Sequence, residues 1–304
     1  MSAESRFLTL LRLLASDPAA QGLQDDVAVL DVGGARLILT SDTMVEGVHY
    51  LPTDPPADIG WKLAAVNLSD LAAKGATPVA CLFNYALSGD DSWDAAFLEG
   101  LGEALSRHAM PLLGGDTVQM PAGSARSYSL TAIGEARGPV PLRTGAQAGD
   151  RLYITGPVGD AGAGLDLLRS DPRASGPLVE AYRRPKPRLA EGALLAPHVH
   201  AMMDVSDGLL IDASRMAQAS GLAVTIDHIP LSPALEAARG ASTAAQIAAA
   251  QAGDDYELLF ALPPSEKPPV RAIPVGHFSA GSGLSLLIDG AEMPLPARLG
   301  WEHG

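Results

Sequence analysis

The order of apolar and polar positions predicts a chain in which short strands alternate with helices. Residues 25–40 read as two β-rich runs on either side of a turn at Gly33 and Gly34, which predicts a hairpin. The most extended apolar pattern covers residues 61–74 and predicts a helix with Asp58 as its N-cap. Because this helix is apolar almost all round, we expect it to be buried.

The remaining pattern predicts further elements and a division into two domains. Helices are predicted at 7–15, 94–108 and 209–219, and strands at 110–113, 127–133, 151–155, 223–227, 256–262 and 284–288. A stretch rich in Gly and Pro at 134–141 predicts a boundary, so that domains of residues 1–136 and 137–304 are expected. The fold class predicted is α/β (α+β), with an N-terminal mixed sheet and a C-terminal α/β sandwich-like domain.

Aspartates recur at the ends of the predicted elements, each with Ser, Thr, Gly or a second Asp beside it. The segments are Asp25-Asp26, Thr40-Ser41-Asp42-Thr43, Gly114-Gly115-Asp116-Thr117 and Asp204-Val205-Ser206-Asp207-Gly208, and Asp70 adds a carboxylate on the apolar helix beside Asn67 and Lys74. One such motif alone is more typical of a turn or a cap. Together they predict clustered carboxylates, which apolar surroundings tolerate only with protonation or bound cations.

The chemistry of these side chains favours one class of cation. Oxygen ligands without a neighbouring Cys or His cluster are typical of Mg²⁺ or Mn²⁺ and not of zinc. Because Mg²⁺ usually takes one or two protein carboxylates and leaves positions for phosphate oxygens, the pattern predicts a nucleotide-phosphate site. The chain has no P-loop motif, no strand-linked G-x-G-x-x-G and no G-x-S-x-G, which disfavours P-loop, Rossmann and triad-hydrolase chemistry.

Composition narrows the partners and the compartment. The 304 residues are 47% hydrophobic and carry a formal net charge of −14, so nucleic acid is not expected as a partner. The single cysteine, Cys81, lies in an apolar run and cannot form an internal disulfide. No apolar run has the roughly 18 residues of a membrane span, and we expect a cytoplasmic protein that does not bind membranes.

The aspartate motifs resemble, in their order along nearly the whole chain, those of the thiamine-monophosphate kinase family. This family belongs to the superfamily of aminoimidazole ribonucleotide synthetase-like ATP-binding proteins. The segments that carry the resemblance are 25–28, 40–49, 65–73, 114–117, 204–209 and 253–258. The resemblance implies two α/β domains, a homodimer formed through the N-terminal sheets, and an ATP cleft without a P-loop. One departure is Gln24, where the family usually has glycine.

The resemblance also implies a role for individual residues. Several Mg²⁺ ions would be held by Asp26, Thr40, Ser41, Asp42, Asp70, Asp116, Asp204 and Asp207, with Asp42 and Asp207 as the catalytic pair. ATP would contact Gly115, Asp116, Arg143 and Ser206, and thiamine phosphate would contact His49, Glu257 and Trp301. The implied reaction transfers the γ-phosphoryl group of ATP to thiamine monophosphate, with K⁺ as a further candidate ion.

Plainer interpretations stand beside these roles. From the residues alone, His49 reads as a surface loop histidine, Glu257 as an exposed strand residue, and Trp301 equally as a cover for the core or a stacking partner for a cationic ring. Two other functions remain open. One is a different ATP-dependent enzyme of the superfamily, although selenophosphate synthesis or hydrogenase maturation would need a terminal Cys and the chain has only Cys81. The other is a non-catalytic divalent-cation-binding protein.

Overall fold

The computed structural model describes residues 3–121 and 123–302. Its helices are α1 Ala3–Leu11, α2 Pro56–Ala73, α3 Asp91–Arg107, α4 Asp160–Ser170, α5 Pro177–Arg183, α6 Leu189–Leu195, α7 Leu209–Ser220, α8 Pro233–Arg239 and α9 Thr243–Gln251, with a 3₁₀ helix at Pro18–Leu23. Its strands are β1 Ala28–Val32, β2 Ala35–Val45, β3 Thr77–Leu87, β4 Leu112–Gln119, β5 Ser127–Glu135, β6 Arg151–Ile154, β7 Ala201–Asp204, β8 Ala223–Ile226, β9 Leu258–Leu262, β10 Ile273–Ser279, β11 Gly283–Ile288 and β12 Ala291–Met293.

The first sheet has five strands in the order β1-β2-β5-β3-β4, with β3 and β4 parallel and the other pairs antiparallel. Residues of β5 alternate between buried and half-buried positions, which gives the sheet one inner face. Buried side chains of α2 and α3, such as Leu68 and Phe97, form one core cluster with Tyr128 and Leu130 of β5. The opposite face of this sheet carries hydroxyls and exposed apolar side chains.

The second sheet has seven strands in the order β12-β11-β8-β10-β6-β9-β7, and only β8 and β11 are parallel. Its β9 strand is buried along its whole length, because α7 and other helices cover the sheet. Helix α2 also contacts β7 and α6, so it lies between the two sheets. The predicted α/β class with an N-terminal mixed sheet is confirmed, while the domain limits at 136 and 137 stay a prediction.

Several predicted boundaries are wrong in detail. Helix α2 begins at Pro56, and Asp58 is no N-cap: it lies in the first turn, where its carboxylate accepts a hydrogen bond from Arg184 at 2.7 Å. Proline at the first helical position needs no backbone donor, which is why the helix starts there. Strand β4 continues through the Gly-Gly-Asp-Thr segment, where the sequence predicts a strand end.

Within the described ranges no helix combines the length and apolarity needed to cross a membrane.

Candidate active site

Three carboxylates meet where the two sheets approach each other. Asp26 precedes β1, Asp70 lies on α2 and Asp204 ends β7, and one oxygen of each lies within 4.8 Å of the other two. Asp70 and Asp204 are buried, whereas Asp26 is exposed. These residues come from three distant parts of the chain, so the prediction that aspartates at element ends gather in space is correct for this trio.

The electrostatics of this cluster show why it suits a cation. Burial raises the pKa of Asp204 to about 7, helped by the charge of Asp26. Burial and the charges of Asp26 and Asp207 raise the pKa of Asp42 to about 6, and the pKa of Asp70 is also raised by burial and by Asp42. All of these carboxylates can be ionised together at neutral pH only if positive charge is added. The donor set therefore fits Mg²⁺, a hard ion that takes carboxylate oxygens.

Neighbouring side chains orient the carboxylates. Thr40 donates a short hydrogen bond to Asp70, and Ser69 donates to Asp204 at 2.5 Å. On the face of α2 that carries Asp70, the Asn67 side-chain oxygen accepts a hydrogen bond from the backbone N–H of Asp42 at 3.1 Å. The polar face of the apolar helix, which sequence reasoning singled out, thus contacts the first hairpin.

Basic side chains offset part of the negative charge. Arg143 forms a short ion pair with Asp26. Although Asp26 is exposed as a residue, the loss of water around its carboxylate within the cluster would raise its pKa, but the charges of Arg143 and Lys74 outweigh this effect and lower that pKa. Lys74, itself almost fully buried, pairs with Asp25 at 2.7 Å, and Asp25 also accepts the backbone N–H of Arg143 at 2.7 Å. Asp25 therefore fastens α2 to the segment that carries Arg143.

The loop after β7 presents further polar groups. Ser206 and Asp207 line the cavity beside Asp204. Arg215 of α7 forms a short ion pair with Asp207 and a second one with Asp212 at 2.9 Å. Burial raises the pKa of Asp212 to about 7, partly offset by the charge of Arg215.

A cavity of about 590 Å³ opens from the carboxylate cluster. Of the predicted site residues, it is lined by Asp26, Asp42, His49, Asp70, Asp204, Ser206, Asp207 and Trp301. His49 Nδ1 accepts the backbone N–H of Val45 at 3.0 Å, so a neutral His49 carries its proton on Nε2. The Trp301 side chain is half-exposed. The cavity thus joins a cluster that fits a metal ion to a wall with an aromatic ring.

Other predicted site residues lie outside the cavity lining. Thr40 contacts the cluster through the Asp70 carboxylate and, at 3.3 Å, through the backbone carbonyl oxygen of Asp26, and Arg143 pairs with the Asp26 carboxylate. Ser41 Oγ lies 2.9 Å from Thr131 Oγ1 across two paired strands of the first sheet, while Gly115 and Asp116 lie on the exposed strand β4.

Glu257 is the clearest departure from the sequence interpretation. It precedes β9 and its residue is only 6% exposed, so the expectation of an exposed strand glutamate is wrong. Its carboxylate is held by a short ion pair with Arg188 and by the hydroxyl of Thr155 at 2.5 Å. The structure places it outside the cavity lining, and its predicted contact with substrate stays a prediction.

Sequence reasoning missed an ion pair between Lys62 and Asp254 in the cavity lining. Lys62 Nζ of α2 lies 2.7 Å from Asp254 and 4.1 Å from the ring centroid of Tyr182. Asp254 also accepts a hydrogen bond from Tyr256 at 2.9 Å, and all three of Lys62, Asp254 and Tyr256 line the cavity. The signal that could have found this pair is a lysine near the start of a helix that the sequence predicts to be buried.

The chain matches family models over most of its length. Residues 24–136 match the N-terminal domain of AIR synthase related proteins, and residues 147–286 match the C-terminal domain. It is 38% identical to the thiamine-monophosphate kinase of Caulobacter vibrioides, with 97% of this chain and 89% of the relative covered. The chain belongs to the thiamine-monophosphate kinase family. The predicted resemblance, and with it the prediction of an enzyme of this kind, is confirmed.

Further relatives of the thiamine-monophosphate kinase family support the same conclusion. The Escherichia coli K12 member is 35% identical over 80% of this chain and 76% of its own length. Among solved structures, AaThiL complexed with AMPPCP and TMP matches with a TM-score of 0.88 and 28% identity, over 100% of this chain and 99% of that one. The two-sheet fold is thus shared with a solved member of the family.

Proposed function

We propose that this protein phosphorylates thiamine monophosphate to thiamine diphosphate, with ATP as donor and several Mg²⁺ ions. The observation that carries the proposal is the convergence of Asp26, Asp70 and Asp204 at one cavity whose lining also contains Trp301 and His49. The match to a solved family member complexed with AMPPCP and TMP supports both substrates.

The cavity residues have different roles in the proposed reaction. Asp26, Asp70 and Asp204, together with Asp42 and Asp207, would hold the ions. Bound Mg²⁺ would supply positive charge that lets two phosphate groups approach and that offsets charge on the transferred group. A phosphate oxygen of the acceptor is itself a competent nucleophile, so direct in-line transfer requires no nucleophile from the protein.

The part of the cavity lining formed by His49, Lys62, Asp254 and Trp301, called the acceptor wall, suits a cationic ring that carries a phosphate. The half-exposed Trp301 can present its face to a cation, for which tryptophan is the best aromatic partner. His49 lines the same cavity, with its Nδ1 accepting the backbone N–H of Val45, and is proposed to contact thiamine phosphate. Lys62 neutralises Asp254 on the same wall, which limits the negative charge beside the incoming phosphate.

We also propose a homodimer formed through the first sheet. Strand β4 is exposed along its whole length, and it carries Leu112, Leu113 and Val118 with 48%, 68% and 47% exposure. A second copy would cover these exposed apolar side chains. Asp116, on the same strand, would then lie at the interface, where its predicted contact with ATP and metal is to be sought. A cytoplasmic location and a K⁺ requirement stay predictions.

The decisive experiment incubates the purified protein with Mg-ATP and thiamine monophosphate and detects thiamine diphosphate by chromatography. Thiamine in place of its monophosphate serves as the control acceptor. Another enzyme of the superfamily would leave thiamine monophosphate unchanged, and a non-catalytic binder would be stabilised by Mg²⁺ without consuming ATP. Failure to form thiamine diphosphate at any Mg²⁺ or K⁺ concentration would refute the proposed function.

A further inference from the structure

Asp212 is a fully buried carboxylate in the first turn of α7 that the proposed chemistry does not use. Its Oδ2 accepts the backbone N–H groups of Asp207 at 3.1 Å and Gly208 at 3.2 Å. Its Oδ1 accepts a hydrogen bond from Arg215 at 2.9 Å. The side chain thus satisfies two backbone donors of the loop that follows β7, and it does so away from water, where an unpaired N–H is costly.

The backbone of residues 204–208, the last residue of β7 and the loop after it, supports the acceptor wall. The carbonyl of Ser206 accepts the N–H of Asp254 at 2.8 Å, and the carbonyl of Asp207 accepts the N–H of Trp301 at 2.9 Å. The chains approach so closely that a Cβ on Gly253 would lie 2.4 Å from the Ser206 carbonyl oxygen, and one on Gly300 would lie 2.4 Å from that of Asp207. The segments that carry Asp254 and Trp301 therefore rest directly on the loop.

Residues of the same loop also line the cavity. Asp204, Ser206 and Asp207 all line it. Arg215, which Asp212 holds, also pairs with the Asp207 carboxylate. One short loop therefore directs its side chains to the predicted metal and nucleotide site while its carbonyl groups hold two segments of the acceptor wall.

We propose that Asp212 is a positioning residue that fixes the 204–208 loop for both substrates at once. The inference rests on the proposed function. Without the carboxylate, the peptide groups of Asp207 and Gly208 lose their acceptor and Arg215 loses its second partner, so both the Asp207 carboxylate and the Asp207 carbonyl are free to turn. The loss is expected to weaken the site for Mg-ATP and the site for thiamine monophosphate together.

The test compares Asp212→Ala and Asp212→Asn with Asp150→Ala. Asp150 is a matched control, because it is also buried, accepts the N–H of Gln147 at 2.7 Å and pairs with His200, but does not line the cavity. We expect Asp212→Ala to raise KM for both substrates roughly 10- to 100-fold, as the loss of supports behind ligands commonly does. Asp212→Asn should recover part of this, because its amide oxygen can still accept the two N–H groups, and Asp150→Ala should leave both KM values unchanged.

Amide hydrogen exchange gives a readout that does not depend on turnover. In the ligand-free protein, the amides of Asp207, Gly208 and Trp301 should exchange faster in Asp212→Ala than in the wild type, and not in Asp150→Ala. Unchanged exchange at these amides, or KM values that stay at the wild-type level, would overturn the proposal. If Asp212→Ala does not fold, Asp212→Asn decides by the same two measurements. A wild-type protein without kinase activity would refute the proposed function, while the exchange result would still decide the role of Asp212.

Discussion

Protonation of the carboxylate cluster should make the metal-free protein more stable in mild acid than at pH 8. Asp204 is the best group for this prediction, because it is 4% exposed and its pKa is raised from 3.8 to about 7 by burial and by Asp26. A group whose pKa is higher in the folded state binds more protons there than in the unfolded chain. The free energy of unfolding therefore falls as pH rises from about 4 to about 7, and levels off above that.

The size of the effect follows from the shift. Each pKa unit corresponds to about 1.4 kcal/mol, so the shift of Asp204 corresponds to about 4 kcal/mol between the two ends of this range. Replacing the carboxylate with an amide removes the cost of ionisation while keeping an oxygen that can accept the Ser69 hydroxyl. Without divalent ions, Asp204→Asn should therefore be more stable than the wild type at pH 8, by up to about 4 kcal/mol, and should keep less than half of this advantage at pH 5.

The assay is denaturant unfolding of both proteins at pH 5 and pH 8 in EDTA, repeated at pH 8 with Mg²⁺. Asp227→Asn, which alters a carboxylate outside the cavity lining, controls for the substitution itself. Mg²⁺ should stabilise the wild type more than Asp204→Asn, because binding to the folded state adds its own free energy. An Asp204→Asn protein that is less stable than the wild type at pH 8 in EDTA would show that this carboxylate carries no ionisation cost.

Two further predictions concern packing and turnover. Gly100→Ala should destabilise the protein by about 1–3 kcal/mol or more, because a Cβ there would lie 1.8 Å from the Ala57 carbonyl oxygen. In the same helix, a Cβ at Gly102 would meet nothing within 4 Å, so Gly102→Ala should be neutral or stabilising by up to about 1 kcal/mol. Equal free energies of unfolding for the two variants would contradict this prediction. Asp42→Asn and Asp207→Asn should each lose most of the rate of thiamine diphosphate formation, while their circular dichroism spectra stay the same as that of the wild type. An unaffected rate in either variant would show that its carboxylate is not a metal ligand.

Much of the fold was predictable where local pattern decides the outcome. The hairpin of β1 and β2 follows from the glycine turn between two apolar runs, and α2 follows from an apolar run too long for a strand. Strand β3 was not predicted, because it includes Pro78 and its burial follows contacts with β4 and β5 that no local window contains. The boundary of α2 was misplaced because Asp58 is a common capping residue, although the helix had a proline at which to begin.

The candidate site was predictable in type but not in arrangement. Aspartates at element ends indicated a carboxylate cluster, and Asp26, Asp70 and Asp204 form one. The burial of Glu257 depends on Arg188, and the Lys62–Asp254 pair joins residues 192 positions apart, so tertiary structure alone reveals them. The positions of these pairs are set by how the two sheets meet, which the linear sequence does not contain.

Asp25 and Asp26 are adjacent in the chain, and we expect substitutions at both positions to impair the protein, but for different reasons. Asp25 ties buried Lys74 to the backbone of Arg143, so its replacement would leave an ammonium group stranded in the interior. Asp26 lines the cavity and is exposed, so we expect its replacement to destabilise the fold less than that of Asp25 and to remove a proposed metal ligand. Intolerance of substitution at two neighbouring positions therefore does not show that the two residues have the same role. The abundance of each variant protein in the cell distinguishes a residue needed for stability from one needed for activity.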